Sequence, residues 1–107
     1  MIDIEKVKIQ IVEALKPLNP EKIILFGSYA YGTPTEDSDL DICVVEKDYE
    51  NKLNEKMTID ALLDDIRIGK DILVPKADEY SFYSQEINSV YYDIDTMGVV
   101  LWYKISS

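Results

Sequence analysis

The run "ILFGSYAYGTPTEDSDLDICVV", Ile24 to Val45, decides how this chain is read. The apolar stretch "KIILF", Lys22 to Phe26, is rich in β-branched residues and stops at Gly27-Ser28, the signature of a short buried strand followed by a turn. Gly32 and Pro34 break "YAYGTPTEDS" into a turn or two of helix and a loop. Aspartates then fall at positions 37, 39 and 41 and run straight into "LDICVV", Leu40 to Val45, a second strand. Residues two apart on a strand share a face, so Asp39 and Asp41 project together at its N-terminal end, with Asp37 in the loop before it. Burying even one unpaired carboxylate is costly, so this much charge at the mouth of a buried strand calls for a cation.

Around this centre the elements follow from spacing. Ile4, Val7, Ile11, Ala14 (or Leu15) and Leu18 give an amphipathic helix from about Asp3 to Lys16, capped by Asp3 and closed by Pro17 and Pro20. Leu53, Met57, Ala61 (or Leu62), Leu63 and Ile66 set a second helix within Tyr49 to Ile68, with Gly69 as its C-cap. "DILVP", Asp71 to Pro75, is a third strand. The segment from Asp78 to Met97 is helical by pattern, broken near Asn88-Ser89, with Ser89 capping a last helix that ends at Gly98. "VVLWYK", Val99 to Lys104, is a closing strand. The order αβ(α)βαβαβ predicts an α/β (α+β) fold, a small sheet covered by helices, in a single domain spanning 1–107.

Asp71 opens its strand as Asp41 opens the second, polar first and apolar behind. Where those two strands are sheet neighbours, Asp39, Asp41 and Asp71 converge, and like charges so close raise one another's pKa unless a cation offsets them. Magnesium fits, taking hard oxygen ligands from carboxylates and from substrate phosphates. Three carboxylates on two strands suit a pair of ions about 3.5–4 Å apart that stabilises both the attacking and the leaving oxygen of a phosphoryl displacement. At the turn, Gly27 lets backbone approach a phosphate, and the Ser28 and Tyr29 N–H groups with the Ser28 hydroxyl offer donors to it.

Composition narrows the rest. The 107 residues are 47% apolar with four Gly and four Pro, ordinary for a folded chain. With 21 acidic and 11 basic residues the net charge is -10, which repels nucleic-acid backbones and favours a basic protein partner or a substrate brought in with metal. The one cysteine, Cys43, forms no internal disulfide and reads as a small buried side chain, so a cytoplasmic setting is expected. No stretch reads as a signal peptide or membrane span. Two familiar phosphate or metal loops fail at decisive positions. An EF-hand starting at Asp37 would need Gly at position 42 and Glu at position 48, where Ile42 and Asp48 stand; a Walker A loop from Gly27 would need Lys at position 33, where Thr33 stands.

Taken together, Gly27-Ser28, ten intervening residues and Asp39-x-Asp41 resemble the signature of the polymerase-beta-type nucleotidyltransferase superfamily, in particular its minimal nucleotidyltransferase (MNT) branch. The resemblance covers nearly the whole chain. It implies a small mixed sheet with helices, in which Ser28 holds the β/γ-phosphates of ATP or another NTP. By the same resemblance Asp39 and Asp41 ligate two Mg²⁺ ions, and Asp71 ligates the catalytic one and helps deprotonate the acceptor hydroxyl. The implied reaction moves a nucleoside monophosphate, most often AMP, to that hydroxyl. Many stand-alone members of the branch are antitoxins that modify a tyrosine of a HEPN-domain toxin, which makes a homo- or hetero-oligomer the expected assembly. One departure is Tyr31, where relatives often carry an arginine; Lys22, Lys70 and Lys76 are the candidates to replace its charge. The alternatives are an antitoxin that acts by binding alone and, ranked last, transfer to a small molecule, which usually needs an additional helical domain. Asp37 reads as a turn residue, Asp64, Asp65, Asp93 and Asp95 as solvent-facing charges, and the aromatic C-terminal third as core plus edge strand.

Overall fold

The computed structural model describes residues 3–105. Helix α1 (Ile4–Leu15) begins where the Asp3 carboxylate accepts the Lys6 N–H, and it buries Val7, Ile11 and Leu15, one residue per turn. Strand β1 (Lys22–Phe26) runs into the four-residue helix α2 (Ser28–Tyr31), and strand β2 (Leu40–Val45) follows the loop. Helix α3 (Lys52–Leu62), capped by Asn51, leads to strand β3 (Lys70–Leu73). Helices α4 (Ala77–Tyr83) and α5 (Val90–Met97), the latter capped by Ser89, precede strand β4 (Val99–Tyr103).

The strands form one mixed sheet in the order β3-β2-β1-β4, with β1 antiparallel to both β2 and β4 and β2 parallel to β3. A parallel pair needs a crossover, and α3 provides it. The fold class expected from the sequence is therefore borne out. Alternation along the strands splits the core in two. Ile23, Leu25, Leu40, Ile42, Val44 and Ile72 pack with α1 and with Ile59, Leu63 and Ile66, whereas Ile24, Cys43 and Val45 face Tyr80 of α4 and Ile94 of α5. Burial pushes the Cys43 thiol up to about 12, so it stays an inert core thiol.

Several details differ from the sequence expectation. α3 stops at Leu62 rather than near Ile68, and Leu63 and Ile66 enter the core from tight turns in which the Leu63 N–H is shared between the Ile59 and Asp60 carbonyls. Gly69 is consequently not its C-cap. The third strand starts one residue earlier than Asp71 and ends at Leu73. Leu53 and Met57, expected on the buried stripe, are 64% and 61% exposed, and the core side of α3 is carried by Ile59 instead.

Candidate active site

The β2–β3 register places Asp41 directly opposite Asp71, the two strands pointing the same way so that both aspartates lie at the same end of the sheet. Asp41 also pairs with Phe26, the last residue of β1, so the Gly27-Ser28 turn abuts it from the other side. This is the juxtaposition the sequence reading required. Asp41 shares its sheet face with Cys43 and Asp71 shares it with Leu73, the side that α4 and α5 cover further along.

Two glycines make room for the carboxylates. Gly27 has φ 74° and ψ −160°, a conformation essentially reserved for glycine, and a Cβ there would overlap the Asp41 carboxylate. Gly69 seats Asp39 in the same way: a Cβ on Gly69 would overlap its carboxylate, while the Gly69 carbonyl accepts the Leu40 N–H at 2.8 Å. Gly69 is thus a site residue that sequence reasoning assigned to a helix end; the available signal was a glycine immediately before a strand that opens with a carboxylate.

The electrostatics are those of a cation site. Partial burial, then the charge of Asp71, then that of Asp39, raise the Asp41 pKa above the ordinary carboxylate value. Among the described residues no three acidic, histidine or cysteine side chains are drawn into a metal-holding cluster. The Asp41 carboxylate lies against Gly27 and the Asp39 carboxylate against Gly69, on separate glycine seats. The donor set, three hard carboxylates brought to one end of two adjacent strands and repelling one another, fits a divalent cation.

At the turn, the Gly27 carbonyl accepts the Ala30 and Tyr31 N–H groups, each at 3.0 Å, and Gly32 closes α2 in the left-handed region. The Ser28 and Tyr29 N–H groups precede the first hydrogen-bonded turn, so the helix itself offers them no acceptor. The following loop is held by Thr35 and Ser38: the Ser38 N–H donates to the Thr35 carbonyl at 3.1 Å and the Thr35 N–H to Ser38 Oγ at 2.8 Å. Asp37 lies exposed inside that turn.

A chain with this strand–turn–helix–strand order and this acidic strand pair has recognisable kin, and the nucleotidyltransferase domain family matches residues 8–98. The chain belongs to the nucleotidyltransferase domain family. The CCA-adding enzyme of Thermoplasma volcanium is 36% identical over 72 residues, 66% of this chain but only 16% of that enzyme. The fold is shared with a chain of a toxin–antitoxin complex crystallised with AMP-PNP, at 24% identity and a TM-score of 0.65, covering 91% of this chain and 73% of that one. It is shared also with a chain of the tri-AMPylated HEPN toxin of Shewanella oneidensis in complex with its MNT antitoxin, at 20% identity and a TM-score of 0.60, covering 94% and 72%. The nucleotidyltransferase part of the resemblance is thereby borne out, and the chain shares its fold with those toxin–antitoxin structures.

Of the three lysines that could replace the charge missing at Tyr31, Lys22 and Lys76 lie at the other end of the sheet. Lys22 pairs with Val45, four register positions from Asp41 and roughly 13 Å away along the sheet, and its ammonium sits 5.4 Å over the Tyr80 ring. Lys76 lies beyond the far end of β3, bridged to Asp48 at 3.0 Å. Lys70 is adjacent to Asp71 in the chain, yet its ammonium donates to the Ile68 carbonyl at 3.0 Å.

Proposed function

We propose that this nucleotidyltransferase domain transfers AMP from ATP to a protein hydroxyl, a tyrosine of a HEPN-type toxin, and so acts in the cytoplasm as the antitoxin of a toxin–antitoxin pair. The observation that carries the reading is the register of Asp41 against Asp71 beside the Gly27-Ser28 turn. The likeness to the fold of toxin–antitoxin complexes supports the choice of partner.

In this mechanism Gly27 admits the triphosphate close to the backbone, and Ser28 with the neighbouring N–H groups binds its β- and γ-phosphates. Asp39, Asp41 and Asp71 would hold magnesium, which when bound would supply Lewis-acid stabilisation of charge developing on the phosphoryl oxygens. Asp71 accepts the proton of the acceptor hydroxyl as its oxygen bonds to the α-phosphorus; the α–β bridging bond breaks and pyrophosphate leaves. Partial burial, then repulsion from Asp71 and Asp39, raises the proton affinity of Asp41, a cost that a bound cation would relieve.

A second reading, neutralisation by binding alone, is favoured by Tyr31 standing where relatives often carry an arginine and by the acidic surface. Incubation with labelled ATP, magnesium and the protein encoded next to this gene separates the two. Transfer of label that Asp39→Asn abolishes supports catalysis. Label that persists in the variant contradicts the assigned site, and an Asp39→Asn variant that still protects cells from the toxin supports binding alone.

A further inference from the structure

A cavity lies away from the carboxylates, in the cleft formed by the end of α4, the loop after it and the start of α5. It measures about 790 Å³ and is lined by Phe82, Tyr83, Ile87, Val90 and Tyr91 together with Glu79 and Glu86. Its apolar walls face solvent to an unusual degree for so short a segment, Ile87 at 73% and Phe82 at 61%. Contiguous exposed apolar surface of this kind marks a contact site rather than ordinary surface. The cleft is firmly built. Tyr80 and Tyr91 stack edge to face beneath it, and the Tyr80 hydroxyl donates to Asp95 at 2.8 Å, tying α4 to α5.

Its charge is one-sided. From Ala77 through Tyr103 the chain carries Asp78, Glu79, Glu86, Asp93 and Asp95 and no lysine or arginine. The cations that reach these helices come from elsewhere: Lys52 of α3 bridges to Glu79 at 3.3 Å, and Lys22 lies over Tyr80. Aromatic walls with a carboxylate rim complement an occupant that is apolar on one side and cationic on the other. Both termini of the cleft are helix ends, not a sheet edge, so the seat suits a helix laid across it rather than an added strand.

We infer that the α4–α5 cleft docks a basic amphipathic helix of a partner protein, with Phe82, Tyr83, Ile87 and Val90 receiving its apolar face and Glu86 a lysine or arginine. α4 and α5 cover the same sheet face on which Asp41 and Asp71 stand, so a partner held there lies on the catalytic side of the sheet. The docking stands without the transferase reading; identifying the docked protein with the nucleotide acceptor rests on that reading.

The test uses the whole chain and two synthetic helical peptides of about four turns, each with leucines on one face. One carries lysine and arginine on the other face, the second glutamate. In an NMR titration the basic peptide shifts the amides of Phe82, Tyr83, Ile87 and Val90 and binds at least about tenfold more tightly than the acidic one. Ile87→Lys, at a position exposed enough to fold normally, weakens the basic peptide by about tenfold or more. Asp39→Asn abolishes label transfer while leaving peptide binding intact, so failure of docking and failure of catalysis are read separately. Equal affinity for both peptides, no shifts at millimolar peptide, or shifts centred on the groove between α1 and β4 would overturn the assignment. So would sedimentation showing a dimer of the free chain that Ile87→Lys dissociates, since a second copy would then be the occupant.

Discussion

Replacing Glu46 by glutamine tests the electrostatic reasoning in the interior. Glu46 follows β2, is 5% exposed, and its Oε2 has no hydrogen-bond partner. Burial first, then a hydrogen bond and charge repulsion from Glu55, raise its pKa from 4.5 to about 8. Because the folded value lies above the unfolded one, the native state binds the extra proton between those limits. Its contribution is complete below pH 4.5 and is lost as pH rises through about 8. At about 1.4 kcal/mol per unit, tempered by sharing of the proton with Glu55 and by solvent relaxation, the loss is on the order of 3 kcal/mol. Glutamine keeps the shape and stays neutral. Urea denaturation followed by Trp102 fluorescence should give wild type and Glu46→Gln similar stabilities at pH 4.5, with the variant more stable by on the order of 3 kcal/mol at pH 9. Parallel curves across this range would refute the buried, protonated carboxyl.

Gly27→Ala combines a glycine-only backbone conformation with overlap on Asp41; it should cost about 2–4 kcal/mol in the same denaturation experiment and abolish nucleotide transfer, and wild-type stability would contradict the tight seat. Asp41→Asn removes a charge that Asp71 and Asp39 oppose, so in chelator-treated protein it should raise the thermal midpoint while eliminating transfer; a lowered midpoint argues against repulsion at the site. Tyr80→Phe deletes the hydroxyl that donates to Asp95 and should cost about 1–2 kcal/mol, measured by urea unfolding, with no effect on metal binding.

What the sequence made legible was local. The β-branched runs marked β1 and β2 to the residue, and Asp3 and Ser89 marked two helix starts because a short polar side chain before an apolar period has few other uses. The convergence of Asp71 with Asp41 was conditional on strand order, which is fixed by the path of the α3 crossover and by packing on both faces, not by any residue near either aspartate. The end of α3 was misread because Leu63 and Ile66 have helical spacing yet reach the core from turns, while Leu53 and Met57 satisfy the same spacing on the outer face. The role of Gly69 depends on Asp39 arriving from thirty positions earlier, a contact invisible to a local pattern. The lysines proposed to replace an arginine at position 31 could be placed only by register, which sends Lys22 and Lys76 to the opposite end of the sheet.

The central claim is that Asp39, Asp41 and Asp71 share a divalent cation beside the Gly27-Ser28 turn. Titrating the isotope-labelled protein with Mn²⁺ in the presence of a non-hydrolysable ATP analogue tests it most directly, since a paramagnetic ion broadens the amide signals nearest to it. The account predicts that the amides of residues 27, 28, 39, 41 and 71 broaden first and together, and that Asp39→Asn weakens the effect. Broadening spread over the acidic surface, or centred away from the β2–β3 end, would contradict it.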